Sequence, residues 1–457
     1  MKPNNQMLLI MPLLASLLLG YSLILDQNDM REKLADEIEY SIHHQLLNKW
    51  YPAALDKEYG GFLSNFIYDF QPEEKQEKMI VSQSRQVWTA SKAAVYYPEK
   101  KEYLEIARQG FNFLRDKFWD QEFGGFHTLT DRSGKVLDTG LEAKTAYGNA
   151  FAIYGLAAYF HASGDSAALD LARKAFLWLE QHSHDPIHQG YFQSLARDGS
   201  PLLDRSGLPS TSQIGYKDQN SSIHLLEAFT ELYQVWPDAL LGERLKEMLY
   251  LIRDTMVTDR GYLQLFFFPN WEPVSYRDSS KLLIEKHHSL DHVSFGHDVE
   301  TAYLMLEAAH VLGIEDPKIM EVGKKMVDHS LNYGWDKEVG GFFDGGFYFK
   351  GEEELTLVKE TKNWWAQAEG LNTLLIMADY FPEDKMDYFG KFQQQWAYIK
   401  RYLIDQEHGE WYPGGLDKEP DLQKARKAHI WKTPYHNFRS LANCVQRLRS
   451  NPQSSSL

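Results

Sequence analysis

The chain has 457 residues, 43% hydrophobic and 25% charged, a globular composition that excludes global disorder. Its formal net charge of −16 argues against a nucleic-acid partner, because neutralising phosphates requires an excess of lysine and arginine. A single cysteine excludes an intramolecular disulfide, a Cys-based zinc site and a thiolate-held cluster. The 12 Trp, 26 Tyr and 25 Phe exceed what a core needs and suit a cavity that stacks rings on sugar faces.

Lys2 precedes an apolar run from Met7 to Leu25 with no charge until Asp26. Its length lies between a signal-peptide core and a spanning helix. Residues 1–29 are expected to be a signal peptide or membrane anchor, with export to the periplasm or attachment through residues 7–25. A cytoplasmic location follows if the segment is no leader. The body is expected to start near Met30 and run to 448, and the Ser-rich end, 449–457, reads as a disordered tail.

From Met30 onward the sequence repeats six times. The first helix spans residues 30–50, with Leu34, Ile38, Ile42 and Leu46 on one stripe. A turn follows, Asp56…Gly60-Gly61-Phe62, and the same signature returns as Asp120…Gly124-Gly125-Phe126, Asp185…Gly190-Tyr191 and Asp259…Gly261-Tyr262. It ends with Asp336…Gly340-Gly341-Phe342 and Asp405…Gly409-Glu410-Trp411. The aromatics at 62, 126, 191, 262, 342 and 411 are separated by 64, 65, 71, 80 and 69 residues. Each copy predicts a short β-hairpin whose glycines supply positive φ.

Between the turns the apolar period is helical, near 82–97, 101–118, 144–163, 166–183, 219–235, 239–256, 297–312, 316–332, 362–381, 386–403 and 435–448. Twelve helices in six pairs predict an all-α fold, an (α/α)6 barrel with short β-hairpins between repeats. An open solenoid is disfavoured by its shorter usual repeat of about 34–47 residues.

The even-numbered helices start with chemically unusual residues. In chain order these are Arg85 with Trp88, Lys144 with Tyr147, Asn220 with His224, His297 with Glu300, Trp364 and Trp365 with Glu369, and Tyr435, His436 and Arg439. Arg85, Tyr147, His224, His297, Trp365 and His436 are separated by 62, 77, 73, 68 and 71 residues, close to the turn period. If the even helices form the inner ring, these six side chains converge at one end of its axis. Three histidines, two glutamates and an arginine suit proton abstraction next to a sugar carbonyl, with a cationic group on the enediolate oxygen. That chemistry requires no cofactor, and no metal-ligand motif accompanies it. Histidines 43, 44, 182, 184, 188, 287, 288 and 292 read as surface or supporting residues, the last three near the mouth. The alternatives are glycoside hydrolysis, with Glu300 and Glu369 as the carboxyl pair, and a non-catalytic carbohydrate-binding protein.

The most specific segments are Ser294-Phe295-Gly296-His297-Asp298-Val299-Glu300 and Trp431-Lys432-Thr433-Pro434-Tyr435-His436-Asn437. With Asp56 to Phe62, Arg85/Trp88 and Trp364-Trp365…Glu369, they resemble the N-acylglucosamine 2-epimerase superfamily, especially its cellobiose 2-epimerase branch, over nearly the whole body. The resemblance implies reversible epimerisation at C2 of a reducing-end sugar, in a cellobiose- or mannobiose-type disaccharide. An aldose–ketose isomerase and an N-acylglucosamine 2-epimerase are the neighbouring activities. It implies His297 and His436 as the pair that exchanges the C2 proton and His224 as the group that helps open the ring. Arg85 and Tyr147 would lie near the carbonyl oxygens, Asn220 near His224, Glu300 and Glu369 against histidine or sugar, and Trp365 and Trp431 as stacking walls. The partner is a small sugar, and a monomer is expected. The sequence departs from the family pattern at Ser222, Phe438 and Thr433, where relatives typically carry a histidine, a small residue and a cysteine.

Overall fold

The computed structural model describes residues 28–450. The apolar run 7–25 and residues 451–457 lie outside the described residues. Among the described residues no helix is long and apolar enough to cross a membrane.

Twelve long helices follow in the expected order. They are α1 (28–50), α2 (Ile80–Tyr96), α3 (Glu102–Phe113), α4 (Ala146–Ser163), α5 (Ser166–His182) and α6 (Gln219–Val235). The second half comprises α7 (Ala239–Leu251), α8 (Phe295–Leu312), α9 (Pro317–Tyr333), α10 (Trp364–Tyr380), α11 (Tyr388–Tyr398) and α12 (Tyr435–Arg449). The even-numbered helices touch one another in sequence, and α12 returns to α2, so the inner ring closes. Each odd helix lies outside an even neighbour, α1 against α12. This is the expected (α/α)6 barrel.

Composition explains which helix goes inside. α4 is buried continuously from Ala146 to Tyr159, and α10 is nearly so. Both face neighbours on every side and have no polar stripe. α3 and α9 bury one face only. Small residues set the spacing of the ring. A Cβ on Gly155 of α4 would come within 2.8 Å of the Ser84 carbonyl oxygen of α2, so this contact needs glycine. Asp165, Asp238 and Asp316 cap α5, α7 and α9 with their carboxylates on backbone N–H groups.

The repeated turns are not paired strands. In each copy one antiparallel bridge joins the two sides, such as Leu55 to Phe62 and Trp119 to Phe126. The reason is a competing set of hydrogen bonds. The N–H of Phe62 donates to Gln83 Oε1 at 2.8 Å, that of Phe126 to Asn149 Oδ1 at 2.9 Å and that of Phe342 to Gln367 Oε1 at 2.8 Å. The inner helix thus takes the donor that a strand partner would have used. The strands form elsewhere, as two-stranded ladders that stitch neighbouring repeats. β1 (Lys78–Met79) pairs with β2 (Leu129–Thr130), β3 (Lys144–Thr145) with β4 (Ser194–Leu195), and β5 (Lys217–Asp218) with β6 (Phe266–Phe267). A longer hairpin, β7 (Gly345–Phe347) with β8 (Thr356–Lys359), follows α9.

A buried lysine anchors five of the six turns. Asp56 accepts two backbone N–H bonds on Oδ1 and the Lys78 ammonium on Oδ2 at 2.9 Å. Lys144–Asp120, Lys217–Asp185, Lys362–Asp336 and Lys427–Asp405 repeat the pair at 3.0, 2.7, 2.9 and 2.6 Å. The fourth repeat differs, and it corrects the expected register there. Leu263 bridges Val257 and donates its N–H to Asp298, so Leu263 rather than Tyr262 holds the aromatic's place. Thr258, not Asp259, makes the turn's side-chain bond, to Tyr262. Val293 precedes α8 where the lysine stands in four of the other five repeats, so aspartate and lysine are replaced together.

Candidate active site

The starts of the six inner helices meet at one mouth of the ring, because all six run in the same sense along its axis. All six recurring residues are tied to another of the six by ring contact or hydrogen bond, Arg85, Tyr147 and His224 in one group and His297, Trp365 and His436 in the other. Arg85 Nη2 donates to the Tyr147 hydroxyl at 3.1 Å. The Tyr147 ring meets the His224 ring at 5.3 Å. Trp365 lies 4.7 Å from the His297 ring and 5.9 Å from the His436 ring. Asn220 lies one turn before His224 at the start of α6. Trp431 stands at the rim, 49% exposed, with its ring 6.4 Å from Tyr147 and its carbonyl accepting Arg85 Nη1 at 3.2 Å.

Depth orders the chemistry. Trp431 is exposed, His297, Trp365 and Asn220 are half-buried, and His224, His436, Arg85 and Tyr147 are buried. One helical turn deeper lies a layer of fully enclosed charges. Arg439 is its centre. Its Nη2 bonds Glu300 at 2.6 Å and Glu369 at 2.7 Å, and its Nη1 bonds Glu227. Each of two carboxylates then holds a histidine from below. Glu227 Oε2 meets His224 Nδ1 at 2.8 Å, and Glu369 Oε1 meets His436 Nδ1 at 2.7 Å. Glu300 lies 3.9 Å from the same nitrogen. His297 is held differently, by the Ser294 hydroxyl on Nδ1 at 2.7 Å. A chain of contacts therefore joins His224 to His436 through Glu227, Arg439 and Glu369.

Burial and charge set the protonation of this layer. Burial pushes the His297 imidazole down to about 3, and His224 and His292 add to it. Burial also drives His436 well below the usual histidine range, helped by Arg85 and Arg439. Burial raises Glu369 to about 8, and Glu300 beside it outweighs part of Arg439's pull. Glu227 is pushed up by burial too, but Arg439, His224 and Tyr435 overcome that and hold it at about 2. Two carboxylates on one guanidinium are thus pushed in opposite directions, Glu227 toward the ionised form and Glu369 toward the protonated one.

Arg85 carries a further feature. Its guanidinium lies over the faces of Phe151 and Tyr435, 4.3 and 5.0 Å from the ring centroids, and its buried Nε has no partner in the chain. An unpaired cationic donor among these converging polar groups is placed to receive an oxygen that gains negative charge. Among the described residues Glu300, Glu369 and His436 also come close enough to share a metal ion. The Arg439 guanidinium already bonds both carboxylates, so a cation is in that place.

All ten expected site residues lie at or beside this mouth. Sequence reasoning left out Glu227, Tyr435, Ser294 and Arg439 as site members. A signal for two of them existed. His224-x-x-Glu227 repeats the spacing of His297-x-x-Glu300, and His436-x-x-Arg439 repeats it again. On an inner helix the third residue after a rim histidine lies one turn deeper on the same face. The three departures from the family pattern stay out of the way. Ser222 bonds its own helix at the Asp218 carbonyl, and Phe438 fills the core beside Trp88 and Tyr96. Thr433 is buried before α12.

A family model described as N-acylglucosamine 2-epimerase (GlcNAc 2-epimerase) matches residues 60–440. The cellobiose 2-epimerase of Bacteroides fragilis is 32% identical over 432 residues, covering 92% of this chain and 100% of that protein. The cellobiose 2-epimerase of Ruminococcus albus is 31% identical over 395 residues, covering 86% and 93%. The solved cellobiose 2-epimerase of Bacillus thermoamylovorans B4167 superposes with a TM-score of 0.78 at 26% identity, over 91% of this chain and 99% of that one.

Proposed function

The chain belongs to the N-acylglucosamine 2-epimerase family and is a carbohydrate epimerase. On that premise we propose that it inverts C2 of the reducing-end aldose of a β-1,4-disaccharide of the cellobiose or mannobiose type, with His297 and His436 exchanging the C2 proton. The observation that carries the reading is the pair of neutral imidazoles flanking Trp365, one backed by Ser294 and the other by Glu369. Relatives named for cellobiose match the chain along its length, and the exposed Trp431 offers a second sugar ring a face at the rim.

In the forward direction His297 Nε2 takes the C2 proton of the opened sugar, and the electron pair moves into a C1–C2 enediolate. Arg85 and the Tyr147 hydroxyl stabilise the oxygen that gains charge. Rotation about C2–C3 turns the other face to His436, which gives its Nε2 proton to C2 while its Nδ1 takes the proton of Glu369. This leaves Glu369 as a carboxylate beside Arg439 and offsets the imidazolium formed at His297, and a proton returned from His297 to Glu369 resets the pair. The reverse reaction uses the same groups in the opposite order. His224, hydrogen-bonded through Nδ1 to Glu227, handles the ring-oxygen proton. Hydrolysis would need two carboxyl groups facing each other across a glycosidic bond. Glu300 and Glu369 instead share one guanidinium beneath the histidines.

The test is proton NMR in deuterated water with cellobiose and mannobiose. The wild-type chain is expected to form the C2 epimer with deuterium at C2. His297→Ala and His436→Ala are each expected to stop interconversion, while each still exchanges the C2 proton of one epimer, a different one in each variant. Interconversion at the wild-type rate in either variant refutes the two-histidine scheme. Formation of a ketose identifies an isomerase instead.

A further inference from the structure

The other mouth of the ring, where the inner helices end, holds a cavity of about 830 Å³. It is lined by the C-terminal halves of α2, α6, α8, α10 and α12 and shares no residue with the proposed catalytic set. Tyr303 separates the two. Its ring lies 5.4 Å from the Arg439 guanidinium on one side and lines the cavity on the other.

Three observations define what this cavity can hold. Asn372 lines it, is 1% exposed, and leaves both Oδ1 and Nδ2 without a partner in the chain. A buried amide with an unused donor and an unused acceptor carries a desolvation cost that a ligand making both bonds removes. Lys92, bonded to Glu231 at 2.6 Å, brings an ammonium with further donors to the wall. Glu307 brings a carboxyl, which burial and the nearby Glu231 and Glu227 push up to about 7. The faces of Tyr96, Tyr233 and Tyr303 complete the lining.

Charge and polarity then select the ligand class. An anion would meet Glu307, while the two cations of the wall are already paired, Lys92 with Glu231 and Arg447 with Asp379. A cation would meet Lys92 and the Asn372 amide hydrogens. An apolar ligand would leave Asn372 unpaired. A neutral molecule that both donates and accepts, with apolar faces for the tyrosines, satisfies every group, and that is the chemistry of a sugar. We propose that this cavity is a second carbohydrate site, back to back with the catalytic one, for a neutral sugar of mono- to disaccharide size.

Titration calorimetry of the His436→Ala chain with cellobiose tests it, since that variant leaves the sugar unchanged. Two sites are expected. Asn372→Leu, added to this background, removes both amide groups at constant volume and is expected to lose one of them. Val311→Trp, which fills the cavity from its wall, is expected to do the same and keeps the test open if the leucine variant does not fold. Arg85→Ala is expected to lose the other site, so a failure of cellobiose as substrate is read separately. In an otherwise wild-type chain Val311→Trp is expected to leave turnover unchanged. Equal stoichiometry in the parent and in both cavity variants overturns the proposal.

Discussion

Replacing Arg439 with methionine removes the one cation among three enclosed carboxylates while keeping side-chain length. Arg439 bonds Glu300 and Glu369 at 2.6 and 2.7 Å and Glu227 on its other nitrogen. Breaking a buried ion pair by removing one partner costs about 3–5 kcal/mol, because the remaining charge is left unpaired. Glu227 shows the pH dependence. Its folded value of about 2 lies below the ordinary carboxylate value, so its pairing stabilises the fold above about pH 4.5. That contribution is lost as pH falls toward 2, and the stability gap between wild type and Arg439→Met narrows over the same window. The histidines lose their fixed supports at the same time, and kcat is expected to drop by roughly 10²–10⁴-fold, the usual worth of a positioned acid or base. Arg439→Lys separates charge from geometry. An ammonium restores most of the stability, but it is compact and lacks the planar fork that spans Glu227 and Glu369 together, so kcat stays low. The assays are thermal unfolding between pH 3 and 8 and epimer formation followed by NMR. Wild-type kcat in both variants, or a methionine variant as stable as wild type at neutral pH, refutes the reasoning.

The pH profile of kcat/KM is expected to lose its acid limb well below pH 6, because burial holds His297 near 3 and His436 low, and to fall above about pH 8 as Glu369 loses its proton. Glu369→Gln should abolish the alkaline limb along with most activity; an unshifted limb would assign it to another group. Activity is expected to survive EDTA, since Arg439 bonds the carboxylates that a metal would use, and loss restored by a divalent ion would contradict this. Lys78→Met is expected to destabilise by less than the about 3–5 kcal/mol of a stranded buried charge, because Arg132 still bonds both Asp56 oxygens at 3.0 Å, with KM unchanged, as measured by denaturant unfolding and steady-state kinetics.

Much of the fold was legible because it repeats. Helix stripes and the Asp…Gly-aromatic turn carry the same period, and two independent signals in phase define a ring of pairs. The reading slipped at the fourth turn because Asp259 and Tyr262 sit one place from the residues that do the work, Thr258 and Leu263. Only the three-dimensional partner exposes the slip. Where the turn has no aspartate, the position before the next inner helix has valine, Val293, instead of lysine. A lysine there would be buried without a counter-charge. The hairpins were over-read for a related reason. The donors that would pair a strand are taken by Gln83, Asn149 and Gln367, and nothing in a local pattern announces a bond made 21 to 25 residues away.

The site shows the same division between phase and depth. Period located the rim, and its six members meet at one mouth. It named Glu300 and Glu369 but not what ties them together beneath, because Glu227 and Arg439 look like ordinary helix charges when read one at a time. Their meaning comes from the closed ring. On an exposed helix a charge three residues after a histidine faces water and does little. On an inner helix the same step carries it one turn further into a core without solvent, where it must find a partner on another helix. Three such steps from three helices deliver Glu227, Glu300 and Arg439 to one level, and Glu369 joins them from α10. A buried arginine bound to three carboxylates is costly to assemble and does not need to be there for the fold, since well-packed apolar residues would serve at least as well. Its position beneath two histidines gives it a use that packing alone does not, which is to hold Glu227 ionised under His224 while Glu369 keeps a proton under His436.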